Sequence, residues 1–149
     1  MSETENINLE QAKREAMEFL KHPRLKENII TDITRLGYVG EDANKFLLYL
    51  IATSRNMNEP LGCIVRASSS TGKTILVDTV AKLIPEGEKK VLTRVTKQSL
   101  FYEKDLSHKF VYIKESVGCE EAAYAIRILL SERELVLNRA TGAVARCSI

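Results

Sequence analysis

Residues 67–74 read Ala67-Ser68-Ser69-Ser70-Thr71-Gly72-Lys73-Thr74, and the fold is read outward from them. A run of small residues closing on glycine, lysine and a hydroxyl matches a loop that wraps a chain of phosphates. A triphosphate carries several negative charges and needs many donors. The backbone N–H groups of a tight turn supply them, aided by the N-terminus of the next helix. Gly72 allows close approach and an unusual backbone conformation. Lys73 brings a point charge to the β- and γ-phosphates, and the Thr74 hydroxyl is a ligand type for Mg²⁺. The pattern expects glycine at its first position, where Ala67 stands. A bare Gly-Lys-Thr is common by chance, so context has to decide. Leu61 to Val65 reads as a short buried strand before the loop. Ile75, Leu76, Val77, Val80, Ala81, Leu83 and Ile84 read as a helix after it, ending before Pro85. Strand, loop and helix in that order are the context the motif requires. The expected nucleotide contacts are Ser68, Ser69, Ser70, Thr71, Gly72, Lys73 and Thr74, with ATP as ligand and Mg²⁺ as its metal.

Upstream the pattern is helical. Leu9, Ala12, Ala16, Phe19 and Leu20 recur at three-to-four spacing until Pro23. Leu25, Ile29, Ile30, Ile33 and Leu36 form a second stripe, ended by Gly37. Asp42 is a candidate cap for a third helix, through Phe46, Leu47, Leu50 and Ile51 to about Met57. Each stripe reads as core packing. Downstream, Val91, Leu92 and Val95 suggest a strand and Phe110 to Ile113 another. A long helix with Ala122, Ala123, Ile126, Leu129 and Leu130 inward precedes a strand at Leu135 to Leu137. Strands alternating with helices imply a parallel sheet covered by helices. The expected architecture is an α/β three-layer P-loop fold with a parallel sheet, preceded by an N-terminal helical segment. The boundary is placed near Asn58 to Pro60, giving a helical segment over 1–58 and a nucleotide-binding core over 59–149.

The 149 residues suit one core, and 44% apolar with 28% charged residues excludes a mostly disordered chain. A net charge of +2 does not announce a nucleic-acid binder, so any basic surface is local. The polar start, Ser2 to Asn6, is no signal peptide, and the run Phe46 to Thr53 is too short to span a bilayer. The expected location is cytoplasmic, with no membrane partner. Cys63, Cys119 and Cys147 lack metal-ligand spacing. Cys63 and Cys119, in or beside apolar segments, read as small buried hydrophobes. His22 and His108 read as surface or loop residues.

A P-loop ATPase usually carries a second apolar strand ending in acid. The first acid helps hold Mg²⁺, and a following glutamate orients and deprotonates the attacking water. The candidate here is Phe110-Val111-Tyr112-Ile113-Lys114-Glu115. Glu115 is placed for the catalytic base, but Lys114 stands where the metal-binding acid is expected. Three readings stay open. Glu115 takes over the metal beside Thr74; Ser116, Asp78 or another group compensates; or the domain binds nucleotide without hydrolysing it.

The chain resembles the P-loop ATPase domain of helicase-like and primase-associated proteins from bacterial mobile elements, a group distantly similar to the AAA+ family and its mini-chromosome-maintenance helicases. Besides the loop, the resemblance is carried by Ala12 to Leu20, Leu36 to Glu41, Leu92-Thr93-Arg94, Gln98 to Tyr102, Leu106 to Lys109 and Gly118 to Arg127. It covers nearly the whole chain. It implies an ATPase acting on DNA in replication or transfer of a mobile element, working as a homo-oligomer. It carries Lys73 and Thr74 over as phosphate and Mg²⁺ contacts, and Glu115 as the surviving acid of a pair. The family continues past a strand like Glu134 to Asn138 into a strand with a polar phosphate sensor, then a helical lid. Ala143 to Ile149 shows no clear sensor, so a C-terminally truncated fragment or a degraded copy is expected. Arg127, Arg133, Arg139 and Arg146 are arginine-finger candidates by type only.

Lys89, Lys90, Arg94, Lys97, Lys104 and Lys109, with Phe101 and Tyr102 among them, are a candidate grip on DNA, single strands included. The same charges also suit a solvated loop and helix face. Four functions remain in play: an ATP-driven DNA motor or loader, a degenerate regulatory module that binds ATP without turnover, a small-molecule kinase, and a structural fragment dependent on a partner.

Overall fold

The computed structural model describes residues 3–65, 72–94, 106–115, 120–132, 134–138 and 144–148. The chain divides into two compact units, Met1–Phe46 and Leu47–Ile149.

The first unit holds α1 (Glu3–Leu20), α2 (Leu25–Arg35) and the start of α3 (Asp42–Thr53). The second stripe behaves as expected at its centre. Ile29 and Ile33 are buried, and Gly37, with φ 112°, turns the chain where the helix stops. Lys45 is also buried, its ammonium donating to Thr34 Oγ1 at 2.8 Å and to Asp42 Oδ1 at 3.0 Å. Those two acceptors are what make a buried ammonium tolerable. Asp42 is thus the first residue inside α3 and spends its carboxylate on Lys45. The α1 stripe corrects the sequence reading: Leu9, Ala12, Ala16, Phe19 and Leu20 are all exposed. Periodicity says that a helix has an apolar face, and nothing about which surface meets it.

The second unit continues α3 into a 3₁₀ turn (Ser54–Asn56), then holds α4 (Lys73–Ala81), β1 (Lys89–Arg94), β2 (Phe110–Glu115), α5 (Glu120–Glu132), β3 (Glu134–Asn138) and β4 (Val144–Ser148). β1 and β2 pair in parallel, from Lys89 opposite Phe110 to Arg94 opposite Glu115. Leu76, Val77, Val80, Ala81, Ile84, Leu106, Phe110 and Leu129 are the buried apolar residues around this pair and its helices. Burying that apolar surface holds α4 in place, since nine residues are too few for a helix to persist alone.

Two expectations about strands are corrected. Residues 61–65 form no strand, and Leu61, Ile64 and Val65 are exposed. The Leu61 N–H goes to the Ser54 hydroxyl at 2.9 Å instead of to a neighbouring strand. A short apolar run cannot distinguish a strand from an extended connection. Gly62 lies so close to α5 that a Cβ there would meet Leu130 Cδ1 at 2.9 Å. The second correction is at the C-terminus. β3 pairs antiparallel with β4, Glu134 opposite Ser148 and Asn138 opposite Val144, in a sheet separate from β1 and β2. The short connection from Asn138 to Val144 suits a hairpin and is too short for the crossover that a parallel pair needs. Cys63 is also exposed, contrary to its reading as a buried hydrophobe; neighbouring groups partly desolvate its thiol and push its pKa up, so it is no activated nucleophile.

Candidate functional site

The site is built where the phosphate loop becomes α4. Gly72 caps this helix in the left-handed conformation, φ 79° and ψ 5°. A side chain there would press Cβ against the backbone, which explains glycine at this point of the motif. The helix begins at Lys73, so the first free N–H groups of α4 face the end of the loop. Ser68, Ser69, Ser70 and Thr71, and the side chains of Lys73 and Glu115, lie outside the described residues.

Thr74 and Asp78 are one helical turn apart and share a face of α4. Tyr112 and Lys114, two residues apart on β2, likewise share a face of their strand. These faces meet. The Lys114 ammonium lies 3.2 Å from Asp78 Oδ1. It also lies 5.7 Å from the centre of the Tyr112 ring. The Thr74 hydroxyl lies close enough to the Tyr112 phenol to act on its ionisation. Burial and the Asp78 carboxylate push the Tyr112 phenol up, while Lys114 and the Thr74 hydrogen bond pull the other way. The net rise keeps the phenol neutral at physiological pH.

P-loop nucleotides typically come with Mg²⁺, so the donor set is a direct test. Mg²⁺ takes hard oxygen ligands in near-octahedral array and favours carboxylates. Here the Thr74 hydroxyl lies beside Tyr112 with its oxygen lone pairs open to a metal, and the Asp78 carboxylate is neutralised by Lys114. Among the described residues no group of three or more histidine, cysteine, aspartate or glutamate side chains is spaced to hold a metal. Asp78 was one of the groups named as a replacement acid, and its carboxylate is instead taken by the lysine it would have replaced.

The basic segment is only partly brought together. Lys89 is engaged within the fold, ion-paired to Glu86 at 2.7 Å and donating to the Ala81 carbonyl, near the end of α4, at 3.3 Å. There it is a second donor to a carbonyl that also accepts the Ile84 N–H at 3.3 Å. Lys97, Lys104, Phe101 and Tyr102, and the side chain of Arg94, lie outside the described residues. Arg55 is fixed by an ion pair to Glu88, and its carbonyl lies 3.0 Å from His108 Nδ1, so His108 ties two loops together. No helix among the described residues is long and apolar enough to cross a membrane.

Sequence reasoning missed the Tyr112–Thr74 link. The signal was present as the alternation along β2: if Lys114 faces α4, Tyr112 must face it too. A family model described as MTBMA_p00010 P-loop domain matches residues 8–135. No curated protein and no solved structure matches the chain.

Proposed function

Because the chain belongs to the MTBMA_p00010 P-loop domain family, a fold class that binds nucleotides, we propose that it is an ATP-binding module of a helicase- or primase-like replication protein of a mobile element. In this reading the Ser68 to Gly72 backbone cradles the phosphates, Lys73 neutralises their charge, and Thr74 stands at the first turn of the receiving helix. The organisation is an N-terminal helical segment over 1–58 and a nucleotide-binding core over 59–149. DNA as partner and a homo-oligomer as working form rest on the resemblance and on the basic stretch around Lys90, Arg94, Lys97, Lys104 and Lys109.

Between turnover and binding alone, the geometry supports binding alone, and one observation carries that choice. The position where a hydrolase keeps its metal-binding acid is occupied by Lys114, which is already paired with Asp78. ATP hydrolysis gains most of its rate from a cation that neutralises charge developing on the transferred phosphoryl group. A second reading, a slow ATPase, is favoured by Glu115 closing β2 next to Lys114, where a water-activating base belongs. Release of inorganic phosphate from ATP, with and without single-stranded DNA, separates the two. The binding reading expects no release above that of Lys73→Ala. Release that rises with DNA and disappears in Glu115→Gln would establish the ATPase.

A further inference from the structure

The turn between α1 and α2 gathers positive charge that the fold leaves unpaired. Residues 19–26 read Phe19-Leu20-Lys21-His22-Pro23-Arg24-Leu25-Lys26, three cations with no acid among them. The turn is held by its own backbone. The His22 N–H donates to the Phe19 carbonyl at 3.2 Å, and the Leu25 N–H to the His22 carbonyl at 3.0 Å. His22 Nδ1 accepts the Arg24 N–H at 3.1 Å, so the neutral ring carries its proton on Nε2, a further donor at this corner. Lys21, Arg24 and Lys26 are exposed, and none has a carboxylate partner among the described residues. The flanking acids Glu18 and Glu27 are not paired with them. Elsewhere in the same unit cations do pair, Lys13 with Glu10 and Arg35 with Asp32. Lys26 is steadied by an aromatic ring instead, its ammonium 5.5 Å from the centre of Phe46. Phe19, whose carbonyl closes the turn, is 37% exposed.

Unpaired cations on a fixed turn attract a chain of phosphates, which releases its own counterions on binding. An exposed aromatic beside them offers a face to an unpaired base. By contrast, in the stretch that the sequence singled out, Lys89 is paired with Glu86 and Lys90 is also engaged. We infer that the turn at 21–26 is a contact surface for single-stranded DNA, with Lys21, Arg24 and Lys26 on phosphates and Phe19 stacking a base. This deepens the reading of DNA as partner, on which it rests. A strand of DNA needs the corner alone, whereas a lipid surface taking the apolar stripe of α1 would also meet Glu10, Glu15 and Glu18.

The test is an anisotropy titration of the full chain with a labelled oligothymidylate of about 20 nucleotides, at several salt concentrations. The triple variant Lys21→Gln/Arg24→Gln/Lys26→Gln is expected to bind about tenfold or more weaker, and its plot of log affinity against log salt to be shallower by about 2, roughly 0.7 per phosphate contact. Equal affinity and slope in wild type and variant would overturn the inference. So would a duplex of the same length that binds the wild-type protein as tightly. A second measurement needs no variant: acetylation of wild-type lysines by an N-hydroxysuccinimide ester, read by mass spectrometry. The oligonucleotide is expected to protect Lys21 and Lys26 and to leave the exposed Lys82 unchanged. Unprotected Lys21 and Lys26 in the DNA-bound protein would overturn the inference and leave DNA as partner standing. Absence of DNA binding by protein with a cooperative melt would overturn the DNA reading and this inference with it, and binding of phosphatidylserine vesicles in its place would make the corner a lipid contact.

Discussion

The Lys114 ammonium stands 3.2 Å from the Asp78 carboxylate and ties the end of β2 to the second turn of α4. Both side chains are more than a third exposed. Water therefore screens the pair, and its worth to the fold is about 0.2–1 kcal/mol. A double-mutant cycle with Lys114→Met and Asp78→Asn in urea denaturation should give a coupling energy in that range, falling as salt is added. A coupling of about 3 kcal/mol or more would identify the pair as a structural bolt, the behaviour of a buried pair.

Gly72 holds φ 79° at the start of α4. Gly72→Ala forces a Cβ into the left-handed region, at a cost of about 1–2 kcal/mol. Urea denaturation should show that loss. Nucleotide binding should suffer more than stability, because the N–H groups at the helix start must point at the phosphates.

Leu76 is buried in the first turn of α4, two residues after Thr74. Leu76→Ala removes the apolar anchor nearest the phosphate loop and should cost about 2–5 kcal/mol in unfolding free energy. Ile75, exposed one residue earlier on the same helix, is the matched control. Ile75→Ala should change stability by no more than about 0.5 kcal/mol. Similar losses at the two positions would contradict the assignment of the core to the α4 side.

Much of this architecture was legible before any coordinates, and the failures have physical causes. Gly37 marked the end of α2 because it imposes a backbone constraint that local sequence alone decides, whereas α4 stops at Ala81, short of the end expected at Pro85. Gly72 was readable for the same reason. The exposed segment 61–65 and the exposed stripe of α1 were not readable, because an apolar pattern states a need for burial and leaves the partner unnamed. The β3–β4 hairpin was missed because no strand was read after Leu137, the apolar pair Val144 and Ala145 being too brief to signal one. At the site, the oddity of Lys114 was visible in the sequence, but its partner was not. Asp78 entered the reading as a replacement acid, since its sign was known and its neighbour was not. Only the meeting of the two faces turns a candidate metal ligand into the counter-charge of a lysine.

Tyr38 donates to Glu41 Oε2 at 2.7 Å, which lowers the glutamate below its ordinary value near 4.5 and raises the phenol above 10.0. The signs differ at the two ends of the pH scale. The depressed carboxyl contributes stability that is present above about pH 4.5 and is lost as pH falls through its folded value. The raised phenol contributes stability that is present below pH 10.0 and is lost as pH rises through its folded value. Tyr38→Phe should flatten both limbs of a plot of melting temperature against pH, leaving the plateau between them lower and otherwise unchanged. An alkaline limb that survives in Tyr38→Phe would assign it to a different group.

The central claim is that the loop leading into α4 holds a nucleotide, and thermal stability with and without ATP tests it most directly. At about 100 times its dissociation constant a ligand stabilises the folded state by roughly 2.7 kcal/mol. For a chain of this size that is a rise in Tm of about 5–10 °C. The result expected is such a rise in the wild-type protein and none in Lys73→Ala, with both proteins melting cooperatively. Equal melting temperatures with and without ATP in the wild-type protein, or an equal rise in Lys73→Ala, would contradict the claim.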